Sequence, residues 1–149
     1  MSIDIHVFLN RVAVPAADTW QDAICQADLP VEFGATFDPL NDSGFAPCTL
    51  EASGTGFEYS LSEREDIASV YPDLGQQVLR YDSVISFSWS SNLRECAAAM
   101  IAAGVLTSLS SGLLYDPQEN LRVGAAEGVS YARTRFAEVK SVMARFPKA

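Results

Sequence analysis

The stretch EASGTGFEYSLSE, residues 51–63, decides how the chain is read, because Gly54-Thr55-Gly56 is either a loop that cradles phosphate or the bend between two strands. Before the glycines stands CTLEAS. After them Phe57, Tyr59 and Leu61 alternate with Glu58, Ser60 and Ser62, the period-two pattern of a strand with one buried face. A dinucleotide-binding fingerprint needs a third glycine where Tyr59 stands, and a helix rather than an alternating strand after it. A Walker loop needs Gly-Lys-Ser/Thr, and the first lysine in the chain is Lys140. Glu51, Glu58 and Glu63 around the turn would also repel phosphate. The stretch therefore reads as a β-hairpin bent at Gly-Thr-Gly, where glycine's access to positive φ suits a tight turn.

Upstream, SIDIHVFLN places Ile3, Ile5, Val7 and Leu9 on one face of a strand and Asp4, His6 and Phe8 on the other. A helix follows over residues 15–29, with Asp18 and Gln21 at capping-box spacing, Trp20, Ala23, Ile24 and Ala27 on one stripe, and Pro30 as its stop. Residues 31–47 are dense in turn formers and read as a loop with room for a short strand at 31–33. Beyond the hairpin, Ser62 and Glu65 have the spacing of a second capping box, for a short helix ended by Pro72. SVISFSWS is a strand presenting Phe87 and Trp89. Asn92 and Glu95 then cap an alanine-rich helix that looks buried on most sides. GLLYDPQ is a strand stopped by Pro117. The chain finishes in a helix read from residue 123 on, whose Val129, Ala132, Phe136, Val139, Met143 and Phe146 form a core stripe. These elements predict one α+β domain over residues 1–149: a two-layer sandwich whose mostly antiparallel sheet runs through the segments near Ile3, Thr49, Phe57, Val84 and Leu113, with helices packed chiefly on one face.

Composition narrows the function. A net charge of −9 and a pI of about 4.4 argue against nucleic acid and against anionic membrane surfaces. MSIDIHVFLN has neither a basic n-region nor a long apolar run, so the mature chain is expected to start near Met1. The uncharged run at 96–114 is broken by Gly104 and Gly112 and suits a buried helix better than a membrane span. Cys25, Cys48 and Cys96 are odd in number and widely spaced, which favours free thiols and a reducing, cytoplasmic setting; Cys96 is expected to be the least reactive.

Catalytic or metal chemistry has little to build on. His6 is the only histidine, placed mid-strand, so any Ser-His or Cys-His pair would need it, and a satisfied structural histidine is the alternative. No G-x-S-x-G elbow accompanies the serines. FDPLNDSG lacks the order and the distal glutamate of a calcium loop, and Glu63, Glu65 and Asp66 are explained by a helix start. No cofactor or metal is expected. Trp20, Phe45, Phe57 and Trp89 could line a small-ligand pocket or simply fill a core.

Charge layout says more. Residues 1–73 hold thirteen acids and two bases, whereas residues 74–149 hold six acids and eight bases. Such a one-signed half either keeps the chain soluble or steers a basic partner. On the second reading Asp38, Asp42, Glu51, Glu58, Glu63, Glu65 and Asp66 form the partner surface. Arg133, Arg135, Lys140 and Arg145 on the last helix are a solvated face or a rival contact.

The succession GFAP, GTGFEY, ECAAAMIAA and LLYDPQ, within a pattern covering most of the chain, resembles a group of small acidic bacterial immunity proteins encoded beside secreted polymorphic toxins. The resemblance implies a cytoplasmic, non-enzymatic protein that binds and blocks a cognate toxin. A small-ligand-binding module and an enzyme built on His6 or a carboxylate pair are the alternatives.

Overall fold

The structure, a computed structural model, describes residues 2–145; Phe146 of the expected stripe lies outside them. Its frame is a seven-stranded sheet in the order β2-β3-β4-β5-β1-β6-β7, every pairing antiparallel. The strands are β1 (Ile3–Leu9), β2 (Val31–Phe33), β3 (Gly44–Leu50), β4 (Ser53–Glu63), β5 (Ser83–Trp89), β6 (Leu113–Asp116) and β7 (Leu121–Gly124). The helices are α1 (Ala17–Gln26), α2 (Arg64–Ala68), α3 (Leu93–Leu109) and α4 (Gly128–Arg145). This is the expected α+β sandwich, with two strands beyond the five expected. β2 fills the room left for it, and β7 takes residues assigned to the start of the last helix.

Alternation sets the core. Ile5 and Val7 lie opposite Phe87 and Ile85 of β5, which in turn lie opposite Tyr59 and Leu61 of β4, so one sheet face is apolar across three strands. α1, α3 and α4 pack against it, and burying each large side chain there stabilises by roughly 1.5–3 kcal/mol. α3 passes close to α4 because both present glycine at the crossing. A Cβ on Gly104 would stand 2.6 Å from the Gly128 carbonyl oxygen and 2.8 Å from the Ala132 Cβ. Trp20 anchors α1 among Phe33, Phe37, Tyr59 and Phe87, and its Nε1 donates to the Ala102 carbonyl at 3.1 Å.

The second face is covered over only part of its width. Residues 64–81 form a strap made of α2 and a 3-10 segment, Pro72–Val78, kinked at Gly75 (φ 54°). Leu74, Val78 and Tyr81 of the strap seal Phe8, Val84 and Tyr115 on β1, β5 and β6. No strap residue belongs to a cluster over β2 or β3, where that face stays open.

Several local expectations are corrected. The hairpin exists, but its bend is not at Gly-Thr-Gly. Leu50 pairs with Ser53, and the two residues between them, Glu51 and Ala52, both have positive φ (51° and 68°). That is the two-residue turn that follows the right-handed strand twist, while Gly54 and Gly56 run inside β4. The Asp18/Gln21 capping box does not form. Gln21 instead donates to the Val31 carbonyl at 2.8 Å and accepts from the Phe33 amide at 2.7 Å, tying α1 to β2. α1 ends before Pro30, with Asp28 at φ 59°. Ser62 is still in β4, so the second box is absent too, and Pro72 starts the 3-10 segment rather than ending a helix. Cys48 is buried and Cys96 half-buried, so the protection expected of Cys96 is shared by Cys48. The third cap holds: Asn92 Oδ1 accepts from the amides of Arg94 and Glu95 at 2.9 and 3.1 Å.

Candidate partner-binding surface

The open half of the second face is assembled by register. Phe45 of β3 stands opposite Glu58 of β4, Glu58 opposite Ser88 of β5, and Ser88 opposite Asp4 of β1, giving one row across four strands. Pro47 and Gly56 form the adjacent row, and Glu32, Thr49 and Gly54 the next. Phe45 is 55% exposed, although its ring lies over β4. A Cβ on Gly56 would meet Phe45 Cε1 at 2.9 Å and the Ala46 carbonyl oxygen at 2.6 Å, so only glycine lets the ring lie against the backbone. Pro47 is tolerated because its carbonyl, accepting from the Gly34 amide at 3.1 Å, faces outward past β2, where a missing N–H breaks no bond to β4.

The loop at 34–43 borders this surface and folds on its own carboxylates. Asp42 Oδ2 accepts from the Asp38 amide at 2.8 Å, while Asp38 accepts from the Leu40 amide at 3.2 Å and the Asn41 side-chain amide at 2.8 Å. The Tyr59 hydroxyl donates to the Pro39 carbonyl at 2.6 Å and pins the loop to β4. Burial first, then the nearby charges of Asp42 and Asp38, push the Tyr59 hydroxyl pKa well up, so it remains a donor at neutral pH.

The seven acids singled out by charge do not share one patch. Asp38 and Asp42 are brought together in the loop, and Glu63, Glu65 and Asp66 gather where β4 runs into α2. Glu58 lies midway along β4 on the open face. Glu51 sits at the hairpin turn, at the far end of an 11-residue strand, about 30 Å from Glu63 at strand rise. There it pairs with Lys140 at 2.9 Å, as Glu65 pairs with Arg64. Charge counting passed over Asp4 and Glu32, which register brings to the same face as Glu58; their signal was the strand alternation in IDIH and VEF.

The basic side of α4 is largely engaged within the chain. Arg133 donates to the Ala27 carbonyl at 2.8 and 3.1 Å, Arg135 pairs with Glu119 and Glu138, and Lys140 holds Glu51. Of the four candidate pocket aromatics, Trp20 and Phe57 are wholly in the core, and Trp89 is nearly so.

His6 lies under the strap. Its Nδ1 is 2.7 Å from Ser86 Oγ, its Nε2 has no partner among the described residues, and the Tyr71 ring stands 5.8 Å away. Burial lowers the imidazole pKa to about 4, with Asp4 pulling weakly the other way, so the ring is neutral at pH 7. Ser86 is itself buried, so this pair faces packed side chains rather than a cleft. Burial also pushes the thiols of Cys48 and Cys96 up to about 11, leaving exposed Cys25 the accessible one. Among the described residues no helix is long and apolar enough to cross a membrane, and no His/Cys/Asp/Glu group is placed to hold a metal.

No protein-family model, curated protein or solved structure matches the chain.

Proposed function

We propose that the chain is a non-enzymatic binding protein, an immunity protein of the kind its sequence resembles, which neutralises a basic toxin in the cytoplasm by laying the open half of its sheet against it. The observation that carries this reading is Phe45, an aromatic ring held 55% exposed on a rigid strand, with Glu58 directly opposite it and Asp38 and Asp42 in the loop leading into its strand. None of these three acids makes an ion pair among the described residues. An aromatic anchor with one carboxylate directly opposite it and two more in the preceding loop suits a partner that brings complementary cations: the ring supplies buried area, and the charges speed encounter and exclude acidic competitors.

The test is co-expression with the product of the adjacent gene, read as rescue of growth, followed by association kinetics of the purified pair. Protection should fail in a folded Phe45→Ala, Glu32→Gln, Glu58→Gln variant. The on-rate of the parent should drop as ionic strength rises from roughly 0.01 to 0.15 M, where the screening length shrinks about fourfold. Full protection by the folded variant, or an on-rate indifferent to salt, overturns the proposal.

A further inference from the structure

The β4–β5 ladder stops at Glu58 and Ser88. β4 extends from there back to Ser53, but β5 ends at Trp89 and the chain turns away toward Asn92 and α3. A notch of about 320 Å³ opens where one strand outruns the other, and Phe45, Glu58, Ser88, Trp89, Ser90 and Glu95 line it. Glu95 stands where a capping box would return its carboxylate to the helix start, yet Asn92 alone serves both amides and the Glu95 carboxylate has no hydrogen-bond partner among the described residues. The neighbouring cation, Arg94, is turned elsewhere and donates to the carbonyls of Leu50 and Ser53 at 2.8 and 3.0 Å.

Trp89 adds a donor. Its side chain is 4% exposed and packs in the core, but its indole N–H has no acceptor among the described residues. Nor is it one of the sealed atoms that lack a partner, which are His6 Nε2, Arg122 Nε and the Tyr131 hydroxyl. The indole nitrogen is thus neither bonded nor sealed among the described residues, and Trp89 is one of the residues that line the notch. Trp20, the other indole, is satisfied internally by Ala102.

Two carboxylates, an aromatic ring and one N–H donor complement a residue that offers a cation and a carbonyl together. We propose that the notch receives a single arginine or lysine of a partner protein, its cation shared by Glu58 and Glu95 and stacked on Phe45, its main-chain carbonyl accepting from Trp89. This rests on the reading of the chain as a binder of a basic protein and identifies the subsite that fixes the partner's register.

The probe is N-acetyl-arginine N-methylamide, titrated into the whole chain while the two indole ¹H–¹⁵N signals are followed, with Trp89→Phe assigning them. The Trp89 signal should shift and saturate at millimolar probe while that of Trp20 stays still. The neutral citrulline analogue should bind about tenfold more weakly, and Glu95→Gln should weaken the arginine probe about three- to fivefold. A Trp89 signal unmoved at about 50 mM probe, equal response to citrulline, or a Glu95→Gln variant that binds like the parent overturns the subsite. Growth rescue separates the two readings. A Glu95→Gln, Trp89→Phe variant that protects fully while Phe45→Ala fails removes the notch and keeps the surface; full protection by both removes the surface as well.

Discussion

The two halves of the second sheet face start from the same alternation and end in opposite states. Over β5, β1 and β6 the strap seals Phe8, Val84 and Tyr115 and traps His6, 3% exposed, as a neutral group bonded to Ser86. Over β3 and β4 no described residue is laid down, and Phe45, Pro47 and Glu58 are exposed. The difference is not one of polarity, since each half carries a row of polar residues and an aromatic. It lies in cover: a strap of short turns converts half a face into interior, and the uncovered half keeps an aromatic where solvent would select against it. An apolar ring kept on the open half, held by a glycine that fits nothing else, points to use rather than to packing.

This contrast can be broken most directly by truncating one residue on each side. Leu74→Ala, under the strap, should cost about 3 kcal/mol in urea unfolding, because a buried leucine leaves a cavity. Equal cost for Phe45→Ala would erase the distinction between the halves. Acid should act on the covered half through His6. The folded His6 pKa of about 4 lies below the ordinary 6.5, so the unfolded chain takes up the proton first. Stability is full above pH 6.5 and falls by up to about 3 kcal/mol as pH drops toward 4. His6→Gln should flatten that slope, and an imidazole titrating near 6.5 by NMR would show that the strap does not seal it.

The paired glycines of β4 sharpen the contrast on a smaller scale. Gly56→Ala should destabilise by roughly 1–3 kcal/mol, because its Cβ would press on backbone as well as on the Phe45 ring. Gly54→Ala, with nothing within 4 Å and no positive φ, should be neutral or stabilising by up to about 1 kcal/mol. Thermal melts of the two variants decide it. Smallest of all, Phe45→Ala should change unfolding free energy by less than about 1 kcal/mol while abolishing protection; a large loss of stability would make Phe45 a core residue after all.

Much of the fold was legible in the sequence. The period-two runs of β1, β4 and β5, the cap at Asn92 and the stop after β6 each follow from local chemistry. What misled was residue type standing in for position. Gly54 and Gly56 drew the bend to themselves, while Glu51 and Ala52, residues with no taste for positive φ, took it because the register of β3 and β4 demanded a two-residue turn. Gln21 and Ser62 had capping-box spacing, but spacing cannot say that a strand's backbone will claim the one or that β4 will run through the other. The surface was only partly legible for the same reason. Glu58 announced itself by charge, whereas Asp4 and Glu32 join it only through pairings between segments far apart in sequence, and Glu95 was hidden inside an apparent cap.

The place of β1 in the sheet bears on how the chain is made. The first strand lies between β5 and β6, so its earliest partner, Ser83 opposite Leu9, is synthesised 74 residues after it. At roughly 5–20 residues per second the apolar edge of Ile5, Val7 and Leu9 stays unpaired for about 4–15 s, long enough to engage any other exposed strand on the ribosome. The β2–β3–β4 meander can form in that interval from contacts close in sequence, and the sheet closes only when β5 arrives to join the early half to the first strand. A nascent chain stalled before residue 83 would carry a finished hairpin and an orphan strand, making the arrival of β5 the committing step of the fold.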